Sequence, residues 1–159
     1  MFKKENSSIS EISSYSFIFY FLFILVGFSV DLFFFDIKLF SANTSLYIGV
    51  GLLLVSTFLI FWAQHTGLRY RKHSHKYDEL EHHHLKKGAF RFTRNPNYLG
   101  MGLLVLGLGV LMNSLAVIVL AVLSFFVVNA WFIPREEALL RERHGSHFEK
   151  YKDTTGRWF

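Results

Sequence analysis

The stretch Asn97 to Pro134, NYLGMGLLVLGLGVLMNSLAVIVLAVLSFFVVNAWFIP, contains no charged side chain. About 20 apolar residues at ~1.5 Å each carry a helix across the ~30 Å hydrocarbon core of a bilayer. This run is about twice too long for one crossing. Near its middle lies Asn113-Ser114, a polar pair suited to a turn. The stretch therefore predicts a tight hairpin of two membrane helices, about 98–112 and 115–133. The first of these is short for a full crossing and would end among headgroups or thin the bilayer locally.

Two further uncharged runs flank it upstream, Ile12 to Val30 and Leu39 to Gln64, each long enough for one crossing. The fold expected is an all-α integral membrane protein with about four transmembrane helices, a C-terminal helical hairpin and short cytoplasmic helices. A cleaved signal peptide is the competing reading of the first run, and Lys3 and Lys4 would suit its basic start. The apolar stretch, however, continues through Phe33-Phe34-Phe35 with no A-x-A site, so a retained helix of about 14–35 is expected. The segment 1–13 reads as a flexible, Ser-rich terminus, and 14–64 as two membrane helices. Residues 65–159 read as a connector, hairpin and tail forming the functional core. Asp31 is expected at the outer, watery end of the first helix.

The chain is 52% hydrophobic and 18% charged, has no cysteine, and carries a formal charge of +5. Disulfides, thiolate metal ligands and cysteine nucleophiles are excluded. The basic excess could suggest nucleic acid, but its distribution argues otherwise. Apart from Lys38, every Lys and Arg lies at Lys3 and Lys4, between Arg69 and Arg94, or between Arg135 and Arg157. With four crossings these segments share one face, the positive-inside pattern. Both termini are thus expected to be cytoplasmic, with the membrane itself as partner and no nucleic acid.

The connector 65–97 holds His65, His73, His75 and the run His82-His83-His84, followed by Gly88-Ala-Phe-Arg-Phe-Thr-Arg-Asn-Pro-Asn-Tyr98. Asn95 suits an N-cap and Pro96 the first helical position, because its missing N–H has no intrahelical partner there. Along the next helix Gly100 and Gly107 are seven apart, as are Gly102 and Gly109. Small residues at that spacing allow a neighbouring backbone to approach closely, or line a groove for a lipid tail. After Pro134, Arg135 to His144 has helical composition and Gly145 a C-cap character. Ser146-His-Phe-Glu149 has the form of a capping box, with Phe148 and Tyr151 on one face. The closing Trp158-Phe159 reads as an interfacial anchor.

A hairpin returns its two ends to the same face, so Asn95 to Tyr98 meets Arg135 to Glu137. One end offers backbone N–H groups and a positive dipole for an anion. The other offers the carboxylates of Glu136 and Glu137 for a cation. A ligand bearing both charges fits: S-adenosylmethionine, an amino acid or a zwitterionic headgroup. The bland alternative is that both glutamates pair with Arg91, Arg94 or Arg141 in water, worth about 0–1 kcal/mol per pair.

Gly88-x-Phe-Arg-x-x-Arg-Asn-Pro-x-Tyr-Leu-Gly100, the apolar hairpin, Pro134-x-Glu-Glu-x-x-Leu140, Gly145-x-x-Phe-x-x-Tyr151 and Arg157-Trp158 stand in this order. The pattern resembles the isoprenylcysteine carboxyl methyltransferases and the related membrane phospholipid methyltransferases, over about residues 82–159. The resemblance implies S-adenosyl-L-methionine-dependent methyl transfer to a lipophilic small molecule or lipid at the cytoplasmic membrane face. It implies cofactor contacts at His82, His83, His84, Leu85, Phe90, Asn95, Pro96, Asn97, Tyr98 and Glu136. The prenylcysteine enzymes carry an Arg one helical turn before the Glu; here Phe132 stands there, leaving Arg135 or Arg157 as the substitute. Methyl transfer from a sulfonium is an in-line displacement that asks mainly for alignment and exclusion of water. A carboxylate acceptor needs no base, whereas an amine would need one such as His84.

Two other classes compete. A metal or haem protein would use the histidines between His65 and His84, although neighbours at i, i+2 do not share a helix face. A non-enzymatic lipid-binding or scaffold protein would use the helices alone. Binding of labelled S-adenosylmethionine separates these readings.

Overall fold

The computed structural model describes residues 2–33, 37–74 and 86–159. Helix α1 spans Phe2–Phe33 and α2 spans Ala42–Ser74. A 3-10 turn, Gly88–Arg91, leads into α3, Pro96–Leu111, and the return helix α4, Leu115–Val127. A π-helical turn, Val128–Phe132, joins α4 to α5, Ile133–His144, and α6, Ser146–Thr154, follows. No strand occurs among the described residues. Helical backbone in α1 thus begins inside the polar segment, well before the first apolar run.

The segments Ser14–Phe33, Ala42–Gly67 and Leu115–His144 are long and apolar enough to cross a membrane, and Pro96–Leu111 is a shorter apolar helix. Their outward faces are apolar: Phe21, Leu54, Phe58, Phe61 and Phe126 are all more than half exposed. In water so large an apolar surface would drive aggregation, whereas in a bilayer it meets lipid tails. The chain is a multi-pass, all-α membrane protein.

Between these helices there is no hydrophobic force to exploit, so close packing must hold them. The two glycine pairs of α3 serve different neighbours. A Cβ on Gly100 would fall 2.6 Å from Ile60, and one on Gly107 3.0 Å from Leu52, both on α2. A Cβ on Gly109 would lie 3.0 Å from the Ile118 backbone, and one on Gly102 3.2 Å from Phe125, both on α4. Gly27 and Gly49 extend the pattern, meeting the backbones of Val117 and Leu111. The buried Ser45 hydroxyl donates to the Val110 carbonyl across the α2–α3 contact.

The hairpin turn sits where expected. Asn113 adopts φ 53°, a left-handed conformation that Asn tolerates better than most residues. Ser114 caps α4 by accepting from the Val117 N–H at 3.0 Å. The Asn113 side chain also reaches the loop between α1 and α2. Its Oδ1 accepts from the Leu39 and Phe40 N–H groups, both at 3.0 Å, and its Nδ2 donates to the Phe40 carbonyl at 2.7 Å. This one residue makes the turn and ties both hairpins together at that end. Asn113→Ala is expected to lose about 2–4 kcal/mol, from left-handed strain plus the lost hydrogen bonds. Asn113→Gly, which keeps the turn, should lose about half as much. Thermal unfolding in detergent reads the difference.

Three local expectations are corrected. The helix does not break at Pro134. The Ile133 N–H bonds back to Val128 at π-helical spacing, and this wider turn accommodates a proline that cannot donate. Ser146 does not form a capping box: Gly145, at φ 51°, is both the C-cap of α5 and the N-cap of α6, and Glu149 pairs with Arg141 instead. Trp158 does not pair with Phe159 as an anchor. Its ring packs 4.6 Å from Phe125, its N–H is held by Asn129, and Phe159 projects outward.

Candidate functional site

The hairpin brings the start of α3 to the start of α5, as its connectivity requires. Tyr98, 4% exposed, donates from its hydroxyl to Glu136 Oε2 at 2.6 Å. Residues adjacent on a helix point about 100° apart, so Glu137 faces elsewhere. Its Oε1 accepts from Arg94 at 3.1 Å and its Oε2 from Arg157 at 3.0 Å. The two glutamates thus divide the roles the sequence left open. Glu137 neutralises two guanidinium groups, while Glu136 has no ion pair among the described residues.

Helix α1 also enters this site. Ser16, fully buried, lies beside the Tyr98 hydroxyl. Tyr20, one turn further along α1, is 0% exposed and lies in the core cluster with Tyr98. Sequence reasoning did not find either residue. A membrane helix is apolar on every side, so nothing in its periodicity marks which face turns inward.

The C-terminal tail wraps over the start of α3. Arg94 donates to the carbonyls of Lys152 at 3.0 Å and Thr155 at 2.9 Å. The Arg157 carbonyl accepts from Thr93 Oγ1 at 2.8 Å and Asn95 Nδ2 at 3.2 Å. Asn95 therefore occupies the N-cap position without capping, since its side chain is drawn to the tail. Asn95 thus leaves the start of α3 without a side-chain cap, and Asn97 Oδ1 is buried without a partner among the described residues. Tyr151 donates to the Phe90 carbonyl at 2.7 Å, and burial pushes its phenol above the usual range, so it remains a donor.

Of the sequence-based candidates, Asn95, Pro96, Asn97 and Tyr98 stand together at the start of α3, where Tyr98 meets Glu136, with Phe90 held against α6. Arg157 is close by but engaged by Glu137 and Asn129. Arg135 points away, its guanidinium 4.8 Å above the exposed Trp131 ring. His82, His83, His84 and Leu85 lie outside the described residues, as does His75. Among the described residues no three His, Asp or Glu side chains gather as a metal-binding group.

No curated protein and no solved structure gives a significant match to the chain. A family model does: that of phospholipid methyltransferase matches residues 44–147, well over half of the chain, from the start of α2 into α6. With its apolar helices and the hairpin that joins Tyr98 to Glu136, the chain belongs to the phospholipid methyltransferase family and is a membrane methyltransferase.

Proposed function

We propose that this methyltransferase uses S-adenosyl-L-methionine to methylate a lipid headgroup at the cytoplasmic face of the membrane. One observation carries the reading. Glu136 is a half-buried carboxylate whose surroundings desolvate it, with a hydrogen bond from Tyr98 and no cation beside it among the described residues, at the uncapped start of α3. An unpaired buried charge is costly, and it persists where a ligand supplies the opposite charge.

The residues present fit the cofactor. Glu136 would face its positive charge, and the first N–H groups of α3 would hold its carboxylate. Asn97 Oδ1, buried and unpartnered, would accept from one of its donors. When bound, S-adenosyl-L-methionine supplies a methyl group activated by a sulfonium for in-line displacement. The chain's own task is then to hold the acceptor in line and keep water out. Tyr98 fixes the Glu136 carboxylate, and the tail, tied at Thr155 and Arg157 to Thr93, Arg94 and Asn95, lies over the entry to α3.

The acceptor reading rests on what the arginines do. Phe132 replaces the arginine of the prenylcysteine enzymes, Arg157 is held by Glu137, and Arg135 stacks on Trp131. No arginine faces Tyr98 among the described residues, which favours a lipid headgroup over a prenylcysteine carboxylate. The cytoplasmic assignment is supported by the basic residues Lys86 and Arg94 and the basic tail, which meet at this same end.

Equilibrium dialysis of labelled S-adenosylmethionine against detergent-purified protein tests the cofactor. Membranes incubated with the methyl-labelled cofactor test the acceptor, through the lipid-extractable species that becomes labelled. Absence of both binding and labelling would remove the reading.

A further inference from the structure

Tyr20 is wholly buried, yet its hydroxyl has no hydrogen-bond partner among the described residues. Buried tyrosine hydroxyls are ordinarily satisfied, and a phenylalanine would fill the same volume without the penalty. The position of this hydroxyl is informative. It lies within electrostatic reach of Tyr98 and 3.7 Å from where a Cβ of Gly102 would stand. Gly102 follows Tyr98 by one helical turn on α3, as Tyr20 follows Ser16 on α1. Ser16 lies beside the Tyr98 hydroxyl and the Tyr20 hydroxyl beside Gly102, so Tyr20 offers its proton one turn deeper, about 5 Å further toward the bilayer interior. Helix α1 lies outside residues 44–147 that match the family model.

We infer that Tyr20 is a specificity-determining residue for the methyl acceptor. Its hydroxyl donates to an oxygen of a lipid, about one helical turn below the atom that is methylated. This rests on the proposed S-adenosylmethionine-dependent reaction. Chemically, it selects lipids with an accepting oxygen at that depth, such as an ester carbonyl, over amphiphiles whose chain there is plain hydrocarbon. The family-matched core would then hold the cofactor, while α1 reads the acceptor.

Tyr20→Phe deletes only the unpartnered hydroxyl. Purified Tyr20→Phe is expected to melt at or above the wild-type temperature and to bind labelled S-adenosylmethionine within about twofold of wild type. Membranes of the native cell, with the chain replaced by the variant, are expected to label lipid about 10-fold more slowly or worse. Equal labelling by variant and wild type would overturn the inference. So would a lower melting temperature, which would give the hydroxyl a structural role, or weakened cofactor binding, which would assign it to the cofactor. If the wild type itself neither binds nor labels, the proposed function fails first, and visibly apart from the Tyr20 comparison.

Discussion

Glu136→Gln is expected to lower kcat/KM for methyl transfer by about 100- to 1000-fold, or roughly 3–4 kcal/mol of lost electrostatic stabilisation. The chain should remain folded. Glu136 has a single described hydrogen bond, from Tyr98, and no ion pair to break. Neutralising a half-buried, desolvated carboxylate with no described cation removes a desolvation cost, so thermal stability in detergent should hold or rise. Tyr98→Phe, which leaves the charge but frees it from one donor, should cost about 10-fold. Labelled-cofactor binding and lipid labelling measure both variants. Wild-type binding and turnover in Glu136→Gln would sink the assignment of this carboxylate to the cofactor.

Glu137→Ala is expected to do the reverse, destabilising the fold by about 3–5 kcal/mol. Its carboxylate lies between Arg94, 9% exposed, and Arg157, 32% exposed, so its loss leaves two like charges facing each other with little water between them. Arg94 also holds the Lys152 and Thr155 carbonyls, so the tail should loosen with it. A lower melting temperature and faster proteolysis after α6 are the readouts. Glu137→Gln, which keeps hydrogen-bonding capacity, should fall between. An unchanged melting temperature in Glu137→Ala would mean that the two arginines find water instead. Neighbouring glutamates are thus expected to give opposite phenotypes, one chemical and one structural.

Much of the fold was legible in the chain. The uncharged runs required helices, because backbone polar groups in lipid must be satisfied within their own segment. Asn113-Ser114 marked the turn, and the turn forced Tyr98 toward Glu136. These inferences rest on length, local conformation and solvation, which are properties of short stretches of sequence. The candidate site was legible only as a meeting of two polar ends.

Which groups meet, and how, belonged to the tertiary structure. Glu136 and Glu137 look alike in sequence, and about 100° of helix rotation separates a carboxylate without a cation from one between two arginines. The π-helical turn before Pro134 sets that rotation, and composition does not announce it. Asn95 looked like a cap until the tail offered its side chain a carbonyl. The inward side of α1 was silent for a different reason: lipid rewards apolar residues on every face, so the pattern that exposes the core of a soluble helix is absent. Only packing against α3 and α4 turned Ser16 and Tyr20 inward.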